Sequence, residues 1–545
     1  MKINPIILQI MNNRGIVSED EVAEFISDKP QKTYDPFLLP NMEEGVDLIL
    51  SAIEDEKKIC IYGDYDADGV TSVSLLMDVL GHLTENLIYY IPSRFDEGYG
   101  LNCDAIDKIK EMGADLIITV DCGSVSYVEV RYAKRIGLDI IVTDHHSMGE
   151  RVPDCLVINP MHPENRYPFR YLAGVGVAFK LAQAVADVSG LPKSVITRNL
   201  DLVGIGTIGD IVPLVDENRT LAKFGLRALN ITQRKGLKQL IDSVGLKQGS
   251  IKSEDVSFRI VPYINASGRM ADADCAAEVM QTKSKASAES GVEKLIGYNN
   301  LRKSKQNELY KECQRIVEEK YANDRFILLE LENAHEGITG IVAGKLKETY
   351  NVPSLIVTPT DENFYKGTGR SIEGVNIHAI LKKCEKLFTR FGGHAAACGF
   401  TIEKSKIGEL RACIESELNS LYEEKPELLN EKASFDAELG AENIDDDLIN
   451  QMQLLEPFGR DNQKPVFGIQ LKAKDISRMG NEKQYLRFTG ILSDGRNIKC
   501  VSFKKADKIE NAIESSNGNV RITGNITKEF WNGKSYLQIE VYDAE

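Results

Sequence analysis

Between Lys58 and about Pro160, short apolar runs alternate with segments of helical length. The runs are Ile59–Tyr62, Ile88–Ile91, Leu116–Val120, Ile140–Thr143 and Leu156–Ile158. Alternation at this pitch predicts βαβ units, and hence a parallel sheet covered by helices. Three of the runs lead straight into acids: CIYGDYDADG (Cys60 to Gly69), LIITVDCG (Leu116 to Gly123) and DIIVTDHH (Asp139 to His146). A fourth acid closes GIGTIGD (Gly204 to Asp210), which follows sequence of helical pattern. Ligands of an open α/β sheet bind at the carboxyl ends of its strands. Several carboxylates and two imidazoles converging there would repel one another unless cations neutralised them. The predicted chemistry is a metal cluster.

The rest of the chain divides by pattern. Residues 1 to about 50 read as helical turns with a proline-containing connection, and residues 173–245 are mostly helical. From about Ala273 to Tyr321 there is no strand signal, so one or two long connecting helices are expected. A second α/β unit opens with RFILLEL and continues through VPSLIVT, a turn at YKGTGRS and the helix VNIHAILKKCEKLF. An acidic linker, Glu438 to Asp447, leads to FGIQLKAKDI, YLRFTGIL, NIKCVSF, VRITGNIT and YLQIEVYD. Five such strands, separated by Gly, Asn and Asp turns, suit a small closed barrel of the OB type. The expected units are 1–270, N-terminal helices with the acid-bearing sheet; 271–324, connecting helices; 325–430, the second α/β unit; and 431–545, linker and barrel.

Composition limits the function classes. No apolar stretch approaches the roughly 18 residues of a membrane span, and MKINPIILQIMNNRGIVSEDE does not read as a secretory signal. The ten cysteines are scattered singly, which predicts free thiols in a cytoplasmic protein. A net charge of −16 argues against nucleic acid binding by the whole molecule, yet from Lys464 onward 14 Lys and Arg face only 10 Asp and Glu. In that tail Tyr485, Phe488, Phe503, Phe530, Trp531 and Tyr536 lie among Lys483, Arg487, Lys504, Lys505 and Lys528. Single-strand binders combine a basic groove with aromatics on which bases stack. About half of these rings must fill the barrel core, and Trp531, in a polar turn, is expected to be exposed. No Gly-x-x-x-x-Gly-Lys loop appears, which disfavours nucleotide-driven motors.

Within the acid motifs, Asp64, Asp66 and Asp68 alternate directly after a strand and share a face if the backbone stays extended. An EF-hand loop would need a Glu at its twelfth position and flanking helices, and neither is present. In Asp144-His145-His146 the two imidazoles point in different directions, so one can ligate while the other faces substrate.

GDYDADG, DCG, DHH and GTIGD, in this order, resemble the four motifs of the DHH phosphoesterase family. PSRFDEGYGLN, YINASGRM, HEGITGIVAGKL, GTGRS, FGGHAAACGF and EPFG are similar to segments of one branch, the RecJ single-stranded-DNA exonucleases. The resemblance covers nearly the whole chain. It departs after EPFG, where Arg460-Asp461-Asn462-Gln463 replaces the usual Gly-x-Gly-Asn-Pro continuation, and just before His335, where a Trp is missing.

The resemblance implies hydrolysis of single-stranded DNA, 5′ to 3′, releasing 5′-mononucleotides, in repair and recombination. The alternative is a phosphodiesterase of short oligonucleotides or cyclic dinucleotides. Two divalent ions are implied, Mn²⁺ favoured and Mg²⁺ acceptable. Asp66 and Asp121 hold one, with Asp64 as ligand or behind it; Asp68, Asp121, His145 and Asp210 hold the other, Asp121 bridging. His146 completes the catalytic set beside the scissile phosphate. Arg94, Asn265, Arg269, Thr368, Arg370, Ser371, Gly393 and His394 are the implied substrate contacts. Arg269 and Arg370 are expected in Gly-flanked turns, and Arg370, Thr368 and Ser371 in a pocket for the terminal 5′ phosphate. A single-strand-binding protein and a helicase are the implied partners.

Overall fold

Five parallel strands, β1 (Ile59–Gly63), β2 (Leu87–Tyr90), β3 (Leu116–Val120), β4 (Asp139–Thr143) and β5 (Leu156–Ile158), form the first sheet in the order β2-β1-β3-β4-β5. The structure, a computed structural model, describes residues 2–545 except 96, 99, 150, 322–323, 430–433 and 532–533, and leaves aside the side chains of residues 427, 429, 530, 531 and 534. Ile59, Ile61, Leu116, Ile118 and Val120 enter the core on one face of the sheet, and Cys60, Tyr62, Ile117, Ile140 and Val142 that on the other. Burial on both faces explains why the runs of β1, β3 and β4 are apolar throughout rather than alternating, whereas β2, at the sheet edge, is half-buried. β2 lies on one side of β1 and β3 on the other, so the winding reverses there and a crevice opens at the strands' carboxyl ends. Asp64 and Asp121 leave β1 and β3 directly into it.

The helices Asp274–Gln281 and Lys285–Lys320 lead to a second sheet. It comprises β6 (Ile327–Glu330), β7 (Ser354–Pro359), β8 (Phe364–Arg370), β9 (Phe388–His394) and β10 (Ala397–Glu403), in the order β6-β7-β8-β10-β9. Two expectations fail here. YKGTGRS is not a turn but strand β8, and YINASGRM ends the helix Val261–Met270. Their glycines serve close packing instead. A Cβ on Gly367 would lie 2.2 Å from the Phe400 ring, and one on Gly268 2.6 Å from the Tyr65 carbonyl oxygen. Arg269 and Arg370 therefore stand on rigid elements. The expectation of free thiols also needs correction. The helix Ile377–Lys383 packs on the helix Ile407–Glu424, which brings Cys384 and Cys413 together as a disulfide. The other eight cysteines are free.

Strands β12 (Phe467–Met479), β13 (Tyr485–Ile491), β14 (Asn497–Ser502), β15 (Asn519–Trp531) and β16 (Lys534–Ala544) close a barrel in the pairing order β12-β13-β14-β16-β15, with β15 returning to β12. The acidic stretch expected as a linker is structured: β11 (Ala437–Leu439) pairs with β12, and the helix Asp446–Met452 follows. Ala437, Leu439 and Ala441 enter the barrel core, while Glu438 and Glu442 stay at the surface. Ile7, Ile10, Met11 and Val22 of the N-terminal helices lie in that same core, not in that of the first sheet. The junction after EPFG holds in spite of its departures. Asp461 takes the left-handed conformation (φ 58°) that a glycine would favour, and Asn462 donates to the carbonyls of Leu455 and Pro457. Among the described residues no helix is long and apolar enough to cross a membrane.

Candidate active site

Asp66 caps the helix Ala67–Leu80, one oxygen accepting from the N–H groups of Asp68 (2.8 Å) and Gly69 (3.2 Å). Asp68, in the first turn of that helix, is met by the start of another, Gly174–Ser189. The N–H groups of Gly174 and Val175 donate to its two oxygens at 2.6 and 2.8 Å. A helix N-terminus is a favourable place for that charge. A Cβ on Gly174 would fall 2.6 Å from an Asp121 oxygen, so this approach requires glycine. Asp121 itself is left-handed (φ 61°). Asp210 ends the helix Leu200–Gly209, and the next residue, Ile211, is also left-handed (φ 58°). A β-branched residue at positive φ is strained, and such strain gathers at functional sites.

The acids converge on one imidazole. His145 Nε2 lies 3.1 Å from Asp121 Oδ1, 3.6 Å from Asp210 Oδ2 and 4.0 Å from Asp68 Oδ2. Three sets of ligand atoms, Asp68-His145-Asp210, Asp64-Asp66-Asp121 and Asp121-Asp144-His145-His146, each lie within 4.8 Å of one another. Asp64 Oδ1 is buried with no hydrogen-bond partner, and Asp121 Oδ1 and His145 Nε2, buried and 3.1 Å apart, are not aligned to bond each other and have no other partner. Buried polar atoms are rarely left so, and each marks a missing partner. Burial, then neighbouring acids, pushes Asp64 and Asp121 well above the usual carboxylate range. Asp68 is raised to about 7 by burial and Asp210, and Asp210 to about 7 by burial and Asp66. Burial, then the charge of His146, lowers His145, which favours the neutral, ligating form. The residues present fit divalent cations. Oxygen-rich ligation with a single imidazole suits Mn²⁺ or Mg²⁺ better than Zn²⁺.

Asp144 is not free to ligate in the same way. Its Oδ1 accepts from the His145 N–H (2.7 Å) and lies 2.8 Å from His146 Nδ1, while its Oδ2 accepts from Ser124 N–H (2.9 Å). Burial would raise this acid, but the bond and charge of His146 outweigh it and hold Asp144 below the usual range. Burial likewise disfavours charge on His146, and the Asp144 carboxylate overcomes that, raising the imidazole to about 9. Asn159 braces the loop by donating to the His146 carbonyl (2.9 Å) and Ser124 Oγ (2.7 Å). Asp144 stands outside the implied metal and catalytic sets, and its part in holding His146 shows only in these bonds.

Residues 58–207 match the DHH family, N-terminal domain; 323–420 the DHHA1 domain; and 435–543 the RecJ OB domain. The chain is 36% identical over 548 residues to the single-stranded-DNA-specific exonuclease RecJ of Bacillus subtilis, covering all of this chain and 68% of that protein. It is 30% identical over 506 residues to the Thermus thermophilus RecJ, covering 93% of this chain and 71% of the relative. It belongs to the RecJ exonuclease family. The solved structure of Thermus thermophilus RecJ in complex with Mn²⁺ superposes with a TM-score of 0.81 at 26% identity, over 100% of this chain and 78% of that one. A crystal structure of exonuclease RecJ bound to manganese gives 0.61 at 32% identity, over 72% and 97%.

In this RecJ-family chain Arg94, Asn265 and His394 lie beside the segments that carry the acids and His146. Arg94 lies over the Tyr65 ring, 5.1 Å from its centroid. Arg269 is lowered to about 10 by burial and then by Arg94, with Arg302 and Arg370 adding to it. Arginines held this close favour an anion among them. Arg370 donates to Thr368 Oγ1 (3.1 Å) and the Gly369 carbonyl (2.8 Å), while Ser371 Oγ is buried without a partner. Gly393 (φ 142°) packs where a Cβ would lie 2.4 Å from the Ala397 carbonyl oxygen, and the His394 ring sits 6.2 Å from that of His146. Asn265 does something the sequence did not announce: its side-chain oxygen accepts the Ala67 N–H at 2.7 Å, fixing the acid loop.

Proposed function

We propose that this chain is a metal-dependent exonuclease that hydrolyses phosphodiester bonds of single-stranded DNA, acting in repair and recombination. The observation that carries the chemistry is the set of unpartnered buried ligand atoms on Asp64, Asp121 and His145. Membership of the RecJ family carries the substrate.

Asp66 and Asp121 would hold one ion with Asp64 beside them, and Asp68, Asp121, His145 and Asp210 the other. When bound, the two ions supply a water of lowered pKa and positive charge on the phosphoryl oxygens. The protein's own groups do the rest. Asp144 keeps His146 protonated at neutral pH, so its Nε2–H can donate to the phosphate as negative charge builds. Arg94, Arg269 and Arg370, with Thr368 and Ser371, bind the terminal phosphate and thereby set digestion from the 5′ end. Gly393 and His394 form the opposite wall of the cleft. Such a cleft admits a flexible strand and excludes a rigid duplex. The same reading places the enzyme in the cytoplasm, on strands opened by a helicase and coated by a single-strand-binding protein.

Digestion of 5′- and 3′-labelled strands of DNA and RNA, with Mn²⁺, Mg²⁺ or EDTA, tests the reading. Mononucleotide release from the 5′ end of DNA, abolished by EDTA, is the expected result. Activity that survives EDTA sinks the metal mechanism, and equal digestion of blunt duplex sinks the strand selectivity.

A further inference from the structure

The chain reverses at Gly459-Arg460-Asp461-Asn462, where the N–H of Gly459 donates to the Asn462 carbonyl (3.0 Å) and that of Asn462 returns to Gly459 (3.2 Å). Arg460 stands at the tip of this turn. The turn is braced from below by Asn462, through the Leu455 and Pro457 carbonyls. It is tied to the acid-bearing domain by Leu214 N–H donating to the Arg460 carbonyl (2.8 Å).

The braced tip borders the active site. Arg460 lines a cleft of about 630 Å³ with Ile211, Phe258, Asn265, Arg269 and Arg302. Its positive charge reaches Asp210, where it favours the carboxylate, and His394, where it disfavours a second positive charge. Among the described residues no hydrogen bond or ion pair occupies it. The other arginines here are at least partly engaged: Arg269 donates to the Gly337 carbonyl, Arg370 to Thr368, and Arg302 to Asn299 and Gln306. Phe258 and Ile211, also on the cleft wall, are 77% and 65% exposed. An unengaged guanidinium beside exposed apolar side chains is the pairing that holds a phosphate with its base.

We propose that Arg460 is a substrate-binding residue, contacting the phosphate next to the scissile one on the Asp210 side of the site. The proposal rests on the exonuclease reading above and deepens it. The Asp64-Asp66-Asp121 group is served by Arg94 and its neighbours, which take the strand's end. Arg460 serves the Asp68-His145-Asp210 group and takes the strand as it leaves. Because the turn belongs to the segment entering the barrel, it also aligns the barrel-bound strand with the metal site.

The test compares the full-length protein with Arg460→Ala, Arg460→Gln and Arg460→Lys, in Mn²⁺. The probes are two 5′-phosphorylated oligothymidylates: one with all phosphates, one with a neutral methylphosphonate at the second linkage from the digested end. First-nucleotide release is read under single turnover, with thermal melts to confirm folding. A charge-assisted contact predicts that wild type slows about tenfold on the neutral linkage and that Arg460→Ala slows about tenfold on the ordinary strand. The alanine and glutamine variants should then lose less than about twofold more on the neutral linkage, while lysine restores part of the rate. Equal penalties in wild type and variants overturn the proposal and leave the exonuclease reading intact. A wild type inert on single strands overturns both.

Discussion

Asp121 and Asp144 show how two neighbouring acids in one crevice take different roles. Asp121 is left-handed and buried, with an oxygen 3.1 Å from His145 that makes no hydrogen bond, which is where a ligand shared by two ions would stand. Asp121→Ala should abolish turnover while the fold survives. More than about a tenth of wild-type activity at saturating Mn²⁺ would refute a shared ligand, since two-ion clamping stabilises the transition state by several kcal/mol. Asp144 instead spends both oxygens on hydrogen bonds and keeps His146 charged up to about pH 9. In Asp144→Asn the imidazole loses its anionic partner, and its pKa should fall toward the ordinary value near 6.5. The alkaline limb of the kcat–pH profile should therefore move to lower pH. A profile identical to wild type would mean that a charged His146 is not needed for turnover.

At the scale of elements, the acids are positioned by what abuts them. The start of the helix Gly174–Ser189 reaches Asp68 and Asp121 only because residue 174 has no side chain. Gly174→Ala should push the helix away from both acids, lowering the melting temperature and costing more than tenfold in kcat, a loss that added metal does not repair. A variant with wild-type kcat would show that the helix is not part of the site's support. Local periodicity made the first sheet legible: all five strands fall within a residue or two of their apolar runs, because strands buried on both faces are written as unbroken apolar sequence. The barrel was legible through alternation. GTGRS and NASGRM misled for a physical reason. Glycine signals a turn by its freedom in φ, but here it signals close packing against Phe400 and Tyr65, which the local sequence does not contain. The gathering of Asp68, Asp121 and His145 could be expected from the ends of three strands, whereas Asp210 arrives at the end of a helix. The contacts of Gly174 with Asp68 and of Asn265 with Ala67 span 106 and 198 residues and leave no local trace. For the same reason the shared core of residues 7–22 and the barrel could not be read from either segment alone.

The whole molecule combines a charged centre with a separate barrel proposed to hold the strand, and the two can be tested apart. In the metal-free protein Asp68 and Asp210 are raised to about 7 from an unfolded value near 3.8, with Asp64 and Asp121 also raised. The folded state then binds more protons than the unfolded one, so stability falls as pH rises from about 4 through about 7. His145, lowered, opposes this, and His146 adds a loss toward pH 9. EDTA-treated protein should thus melt lower at pH 8 than at pH 6, and Mn²⁺ should remove the difference; equal melting without metal would contradict the raised acids. The barrel needs a gentler probe than truncation. Deletion from Lys464 would remove the barrel strands from the core that Ile7, Ile10 and Met11 share with them, leaving these residues only the segment from Ala437 to Leu455 to pack on. Of the aromatic candidates, Phe488 is in the core, Phe503 and Tyr536 are 49% and 37% exposed, Tyr485 packs edge-on to Phe503, and the side chains of Phe530 and Trp531 lie outside the described set. Lys499 stands 5.8 Å over the Tyr536 ring, whereas Lys505 and Lys528 are tied to Asp543 and Asp446. Phe503→Ala with Tyr536→Ala should leave the hydrolysis of short oligonucleotides unchanged and weaken binding of long strands roughly tenfold or more, at about 1–3 kcal/mol per stacked base. Its salt dependence should stay as in wild type, because no cation is lost. Lys499→Ala should do the converse, costing less affinity but flattening the slope of log K against log salt by about 0.7 for one phosphate contact. If the double variant binds and digests long strands as processively as wild type, these rings do not hold the strand, and the exposed face of the barrel serves to dock a protein instead.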